Sequence, residues 1–213
     1  MLNIKGAIFD MDGTILNSMK LWQEIDVIFL NNRGFDVPDD YMASIAHLGA
    51  MDTALYTIER FSLNDNPQDL IDEWQKIAKE KYPFISEKPG ILEYLKYLKK
   101  NGVKTAIATA TCSELIDAAL GGREISKYID SVTTLDEVKR GKGFPDIYLK
   151  CCEKLNVSPE ECVVFEDIVM GIKGAKDGGF RTAAIYDECS KNDEKALRSL
   201  ADKYIYDFYE MMD

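Results

Sequence analysis

The sequence predicts an α/β fold: a parallel sheet wrapped by helices and interrupted, after its first strand, by an all-helical insert. Three observations predict it. An apolar run over residues 4–9 ends directly in two acids, Asp10 and Asp12. Four helical patterns then follow one another with no strand pattern between them. From Lys88-Pro89-Gly90 onward the rhythm becomes helix, strand, helix, strand, the alternation of a parallel sheet with helical crossovers.

Residues 4–9 read as a short buried strand, which puts Asp10 and Asp12 just past its carboxyl end, where open α/β sheets hold their ligands. Side chains alternate along a strand, so the two carboxylates should leave on one side, with Gly13 allowing a sharp turn after them. Acids that close share a proton or need a cation, and a divalent ion with oxygen ligands meets that need. At this point a plain Asp-x-Asp-Gly turn stays open as the alternative. The helical patterns cover residues 18–33, 38–48, 50–61 and 67–82, punctuated by Gly34, Pro38, Gly49 and Pro67. In the first, Leu21, Trp22, Ile25, Ile28 and Phe29 form one apolar face. Beyond the insert come a helix over 91–100, a strand over 103–108 and strand candidates at 131–135, 162–165, 182–186 and 204–206. Asn101-Gly102 ends one helix, Pro145-Asp146 begins another and Gly178-Gly179 closes a third. The expected organisation is a Rossmann-like core of residues 1–15 and 87–213, with a helical bundle of residues 16–86 set over the strand ends that carry Asp10 and Asp12.

At 213 residues and 46% hydrophobic content the chain can bury a sizeable core. Lys and Arg total 26 against 37 Asp and Glu, a formal charge of -11, which disfavours nucleic acid and anionic membrane surfaces as partners. An anionic ligand must be drawn in by local positive charge. No stretch reaches transmembrane length and no leader pattern opens the sequence, so a cytoplasmic protein is expected, with a monomer as the default. Cys112, Cys151, Cys152, Cys162 and Cys189 form no Cys-x-x-Cys pair, and the single His47 leaves no Cys/His metal cluster to build; free cysteines and a helix-end histidine are expected.

Three further constellations lie at strand ends. Thr109-Ala110-Thr111-Cys112-Ser113 places small hydroxyls and backbone N–H groups before a helix, an anion site or an ordinary N-cap; Cys112 has no neighbouring base to activate it. Lys139-Arg140-Gly141-Lys142-Gly143-Phe144-Pro145-Asp146 is the one basic, glycine-spaced loop, suited to a phosphate or a carboxylate cluster through one of its three cations. Val163-Val164-Phe165-Glu166-Asp167 repeats the opening logic, an apolar strand ending in two acids. Together these supply acids for a divalent metal, hydroxyls and amides for an anion, a lysine, and a carboxylate able to attack, the equipment of phosphoryl transfer.

The same residues resemble the haloacid dehalogenase-like hydrolases, specifically their phosphatase and β-phosphoglucomutase branch, essentially end to end. Asp10-Met11-Asp12-Gly13-Thr14 is similar to the family's first motif, Thr109 to its second, Lys142 to its third and Glu166-Asp167 to its fourth. The resemblance implies Asp10 as nucleophile, Asp12 as acid and then base, and Mg²⁺ held by Asp10, the Asp12 carbonyl and Asp167, with Glu166 direct or through water. It also implies Thr109, Lys142 and loop amides such as that of Ala110 on the phosphate, the helical insert as a cap, and a small phosphorylated metabolite, a sugar or polyol phosphate, as substrate. Trp22 stands where the mutases carry a histidine, Asn17 replaces a more usual aspartate, and the mutases' cap arginine has no counterpart near 47–52. Hydrolysis is therefore expected over phosphomutase activity, with Trp22 either on the insert's apolar face or lining the substrate pocket; the reading from another class is a noncatalytic module that senses a phosphorylated metabolite.

Overall fold

A computed structural model describes residues 4–212. Six strands, all parallel among the described residues, form one sheet in the order β3-β2-β1-β4-β5-β6: β1 Gly6–Phe9, β2 Lys104–Thr109, β3 Ser131–Thr134, β4 Cys162–Glu166, β5 Arg181–Ile185 and β6 Lys203–Ile205. The strands are short and almost wholly buried, and their apolar content covers both faces, as a sheet flanked by helices on each side requires. Chain order reverses at β1, which pairs with β2 on one side and β4 on the other. The crevice beyond the carboxyl ends of β1 and β4 is therefore the topological switch point.

One face of this central pair rests on an aromatic cluster. Phe9 stacks on Phe165 at 4.7 Å, and Tyr94 and Phe208 close around them. Burying each of these rings stabilises the fold by about 2–3 kcal/mol, which holds rigid the two strands whose ends carry acids. The opposite face, with Ile8 and Val164, packs on Ile147, Tyr148 and Cys151 of a helix over Asp146–Leu155.

Between β1 and β2 lie α1 Met19–Asn31, α2 Tyr41–Ile45, α3 Ala50–Phe61 and α4 Pro67–Lys81, then α5 Ile91–Lys100 beside the sheet. Asn66 caps α4 by accepting from the Gln68 N–H at 2.9 Å, with Pro67 at the first helical position. The helix expected over 38–48 is shorter: Tyr41 bonds back to Pro38, and Leu48 to Ile45, in tight three-residue turns that end the α-helical ladder on both sides. Three helices follow β2: α6 Ser113–Leu120, α7 Asp146–Leu155 and α8 Val169–Asp177; α9 Glu194–Leu200 precedes β6. All five cysteines are free, Cys152 and Cys162 meeting as buried thiols with sulfurs 3.6 Å apart. None of the described helices is long and apolar enough to cross a membrane.

Candidate active site

The site begins where β1 and β4 end. Phe9 lies in register with Phe165, and the Asp10 N–H donates to the Phe165 carbonyl at 2.9 Å, so Asp10 and Glu166 emerge side by side. With Asp167 they form a buried trio of carboxylates, one oxygen from each lying within 4.8 Å of the others. Lys142, 2% exposed, reaches in from the loop between β3 and α7. Its ammonium pairs with Asp10 Oδ1, and with Glu166 Oε1 at 2.8 Å. Tyr148 donates to that same Glu166 oxygen at 2.8 Å.

One ammonium does not balance three carboxylates. Burial pushes the Asp10 carboxyl well above the usual range; Lys142 opposes this, while the charges of Glu166, Asp167 and Asp12 add to it. Asp167 is pushed up to about 8, first by burial and then by Glu166 and Asp187. Burial alone would lower the Lys142 pKa, yet Asp10 and Glu166 raise it, so it stays charged. Glu166 Oε2 and Asp167 Oδ2 have no hydrogen-bond partner among the described residues. Oxygen donors alone, excess negative charge and two orphaned carboxylate oxygens fit a hard divalent cation.

Two glycines allow the acids to come this close. Gly13 turns at φ +84°, and a Cβ there would lie 2.2 Å from Asp167 Oδ2. At Gly171 in α8 a Cβ would lie 2.4 Å from the carboxylate carbon of Glu166.

The Asp12 carboxylate stands outside the trio. Ser18 Oγ and Tyr82 OH donate to its Oδ1 at 2.6 and 2.7 Å, and Thr111 Oγ1 to its Oδ2 at 2.6 Å. Burial first, then the Asp12 charge, raises the Tyr82 phenol well above its ordinary value, so it remains a donor. Ser18 precedes α1 and Tyr82 follows α4, so Asp12 is held from both crossings between the sheet and the helical block. None of these three partners was picked out as a functional residue in the sequence. Thr111 carried a signal, as part of the hydroxyl cluster after β2; Tyr82, 70 residues from Asp12, carried none.

Thr109 ends β2 fully buried, its Oγ1 accepting from the Thr111 N–H at 3.0 Å, and Ala110 lines the cavity above the acids. Of the three loop cations only Lys142 enters; Arg140 pairs with Asp146 at 2.6 Å over the Phe144 ring, and Lys139 is exposed. The Cys112 thiol accepts from Gln75 Nε2 at 3.1 Å, and burial pushes it up to about 11, which leaves it a poor nucleophile. His47 contributes its carbonyl, accepting from the Lys142 N–H at 3.1 Å, while burial lowers its imidazole pKa and keeps the ring neutral at physiological pH.

A cavity of about 140 Å³ opens over this floor. Asp10, Asp12, Lys142 and Asp167 reach it from below, and Trp22, Ile25, Ile71 and Trp74 of α1 and α4 line it from above. Trp22 thus lies on the cavity wall, its ring edge-on to Tyr82 at 6.2 Å.

The family model described as haloacid dehalogenase-like hydrolase matches residues 7–185. A phosphorylated carbohydrates phosphatase of Thermotoga maritima is 31% identical over 91% of this chain and 90% of its own length. Fructose-1-phosphate phosphatase YqaB of Escherichia coli is 30% identical over 82% of this chain and 92% of its own. Among solved structures, CbbY from Rhodobacter sphaeroides in complex with phosphate superposes with a TM-score of 0.85 at 23% identity, covering 98% of this chain and 96% of that one.

Proposed function

The chain belongs to the haloacid dehalogenase-like hydrolases, and on that premise we propose that it is a Mg²⁺-dependent phosphatase of small phosphate monoesters, working through an aspartyl-phosphate. The observation that carries this reading is the division of the two acids: Asp10 lies in the buried trio against Lys142, while Asp12 is held separately by three hydroxyls. Binding a phosphate would need only the first arrangement; a second, independently positioned acid above it serves proton transfer.

Asp10 is the nucleophile, its oxygen forming the new P–O bond as the ester oxygen departs. Asp12 gives its proton to that leaving oxygen, then takes one from the water that cleaves the acyl phosphate, returning Asp10 as a carboxylate with free phosphate released. Lys142 orients Asp10 and meets a nonbridging phosphate oxygen; the Thr109 hydroxyl and the Ala110 backbone N–H hold the others. Asp10, Asp167 and the Asp12 carbonyl would hold the Mg²⁺, with Glu166 contributing directly or through water. When bound, the ion neutralises charge on phosphate and nucleophile together. The helices over the cavity act as a cap that excludes water from the first displacement and shapes the leaving-group site.

Relatives named for phosphorylated carbohydrates and fructose 1-phosphate support a sugar or polyol phosphate as the substrate class. The test is phosphate release from p-nitrophenyl phosphate: turnover that requires Mg²⁺ and stops with chelator supports the reading. Binding without turnover would establish a sensor module instead, and efficient interconversion of β-glucose 1-phosphate and glucose 6-phosphate would establish a mutase.

A further inference from the structure

The phosphatase mechanism leaves one acid of the cavity lining unused. Asp26 on α1 is 6% exposed and lines the same cavity as Asp10 and Asp12, and its Oδ2 has no hydrogen-bond partner among the described residues. It shares a helix face with Trp22, four residues earlier, and Phe29, three residues later. Trp74 of α4 packs edge-on against that Phe29 at 5.2 Å, and its own indole N–H is also unpartnered. Asp26 and Trp74, each with one buried polar atom unpartnered among the described residues, therefore line the same cavity as the Trp22 ring.

Charge decides what belongs there. Among the described residues lining the cavity the only cation is Lys142, and it is committed to Asp10 and Glu166 at the floor. The upper wall offers nothing to neutralise a second phosphate or a carboxylate, and Asp26 repels one. A desolvated carboxylate without a partner is costly, and with burial as its cause the Asp26 carboxyl is pushed up to about 7. A neutral hydroxyl would satisfy an oxygen lone pair but leave the ionised form uncompensated. An ammonium would do both, and indole faces attract cations through the ring quadrupole.

Resting on the phosphatase reading, we propose that the cavity selects aminated polyol or amino-alcohol phosphates, the ammonium of the leaving group pairing with the Asp26 carboxylate in the cavity wall that Trp22 and Trp74 also line. The pocket thereby discriminates against bisphosphates and phosphorylated carboxylic acids.

The chain contains two tryptophans, Trp22 and Trp74, and both line this cavity, so intrinsic fluorescence reads its occupancy without any turnover. With the Asp10→Asn chain and Mg²⁺ at about pH 8, where Asp26 is mostly ionised, two matched pairs are titrated: glucosamine 6-phosphate against glucose 6-phosphate, and 2-aminoethyl phosphate against 2-hydroxyethyl phosphate. In at least one pair the amine is expected to bind about tenfold or more tightly than its neutral twin. Adding Asp26→Asn should bring that ratio to about one, and Asp26→Glu should restore part of it. Equal or tighter binding of the neutral twin in both pairs overturns the proposal whether or not the variants fold, as does a preference that survives Asp26→Asn. Turnover of p-nitrophenyl phosphate by the unmodified chain without an amine preference sinks this inference alone. An amine preference without turnover sinks the phosphatase reading and leaves the pocket assignment standing.

Discussion

Asp10 and Asp12 are two residues apart, yet their surroundings assign them different tasks. Asp10 faces Lys142 and two other acids, whereas Asp12 faces only hydroxyl donors. Asp10→Asn should lower phosphate release by about a thousandfold or more, read as kcat on p-nitrophenyl phosphate, because an amide cannot form the acyl phosphate. Tyr82→Phe keeps the ring that packs against Trp22 and removes one of the three bonds to Asp12. Losing a hydrogen bond that positions the acid is worth about 0.5–1.5 kcal/mol, so kcat should fall roughly two- to tenfold with KM little changed. Asp26 makes a separate prediction about stability. Its carboxyl is raised from its ordinary value of 3.8 to about 7, so the folded state binds the proton more tightly than the unfolded chain does. The stability this contributes is complete below about pH 4 and is lost as pH rises through about 7, a penalty of roughly 2–4 kcal/mol above it. Asp26→Asn should therefore raise Tm at about pH 8 and raise it less at about pH 5, as differential scanning calorimetry would show.

At the level of elements, the site depends on how closely α8 approaches the end of β4. Glu166 occupies the space where any side chain at position 171 would go, so the glycine permits the helix to close over the acid it helps bury. Gly171→Ala must push the helix or the carboxylate away. Overpacking of this kind costs about 1–3 kcal/mol, and a displaced ligand or ligand partner about 10–100-fold in metal affinity. Denaturant unfolding and calorimetric Mg²⁺ titration should show both losses together; a variant stable and tight for Mg²⁺ would separate Glu166 from the metal site. The block α1–α4 is tied to the sheet at the same place where it serves the chemistry. Ser18 and Tyr82 flank the block and both bind Asp12, and the His47 carbonyl holds the backbone of Lys142. Motion of these helices would thus alter the support of the acid above the phosphate and of the lysine beside it.

For the whole molecule, crowded acids at the switch point make metal binding and pH inseparable. Asp10 and Asp167 both have raised pKa values, and Asp167 loses its proton only near 8. In the metal-free chain their contribution to stability is present at low pH and fades as pH rises, for Asp167 through about 8. A divalent cation binds the deprotonated forms, so saturating Mg²⁺ should raise Tm more at about pH 8 than at about pH 6. A Mg²⁺ effect that shrinks with pH would contradict the carboxylate trio as the metal site. The sequence by itself determined the parallel α/β order, the strand ends at which Asp10, Glu166 and Asp167 sit, and bounds such as those of the helices Ala50–Phe61 and Ile91–Lys100. These follow from short-range periodicity and from Gly and Pro punctuation, which one segment carries by itself. Only the tertiary structure decided which of three loop cations enters the site, that Tyr82 and Thr111 reach Asp12 across 70 and 99 residues, and that Asp26 and Trp74 line one cavity, each with a buried polar atom unpartnered among the described residues. The physical reason is that a hydrogen bond or an unpaired charge depends on what the folded chain brings alongside, and two helices separated in sequence hold no local trace of the face they will share.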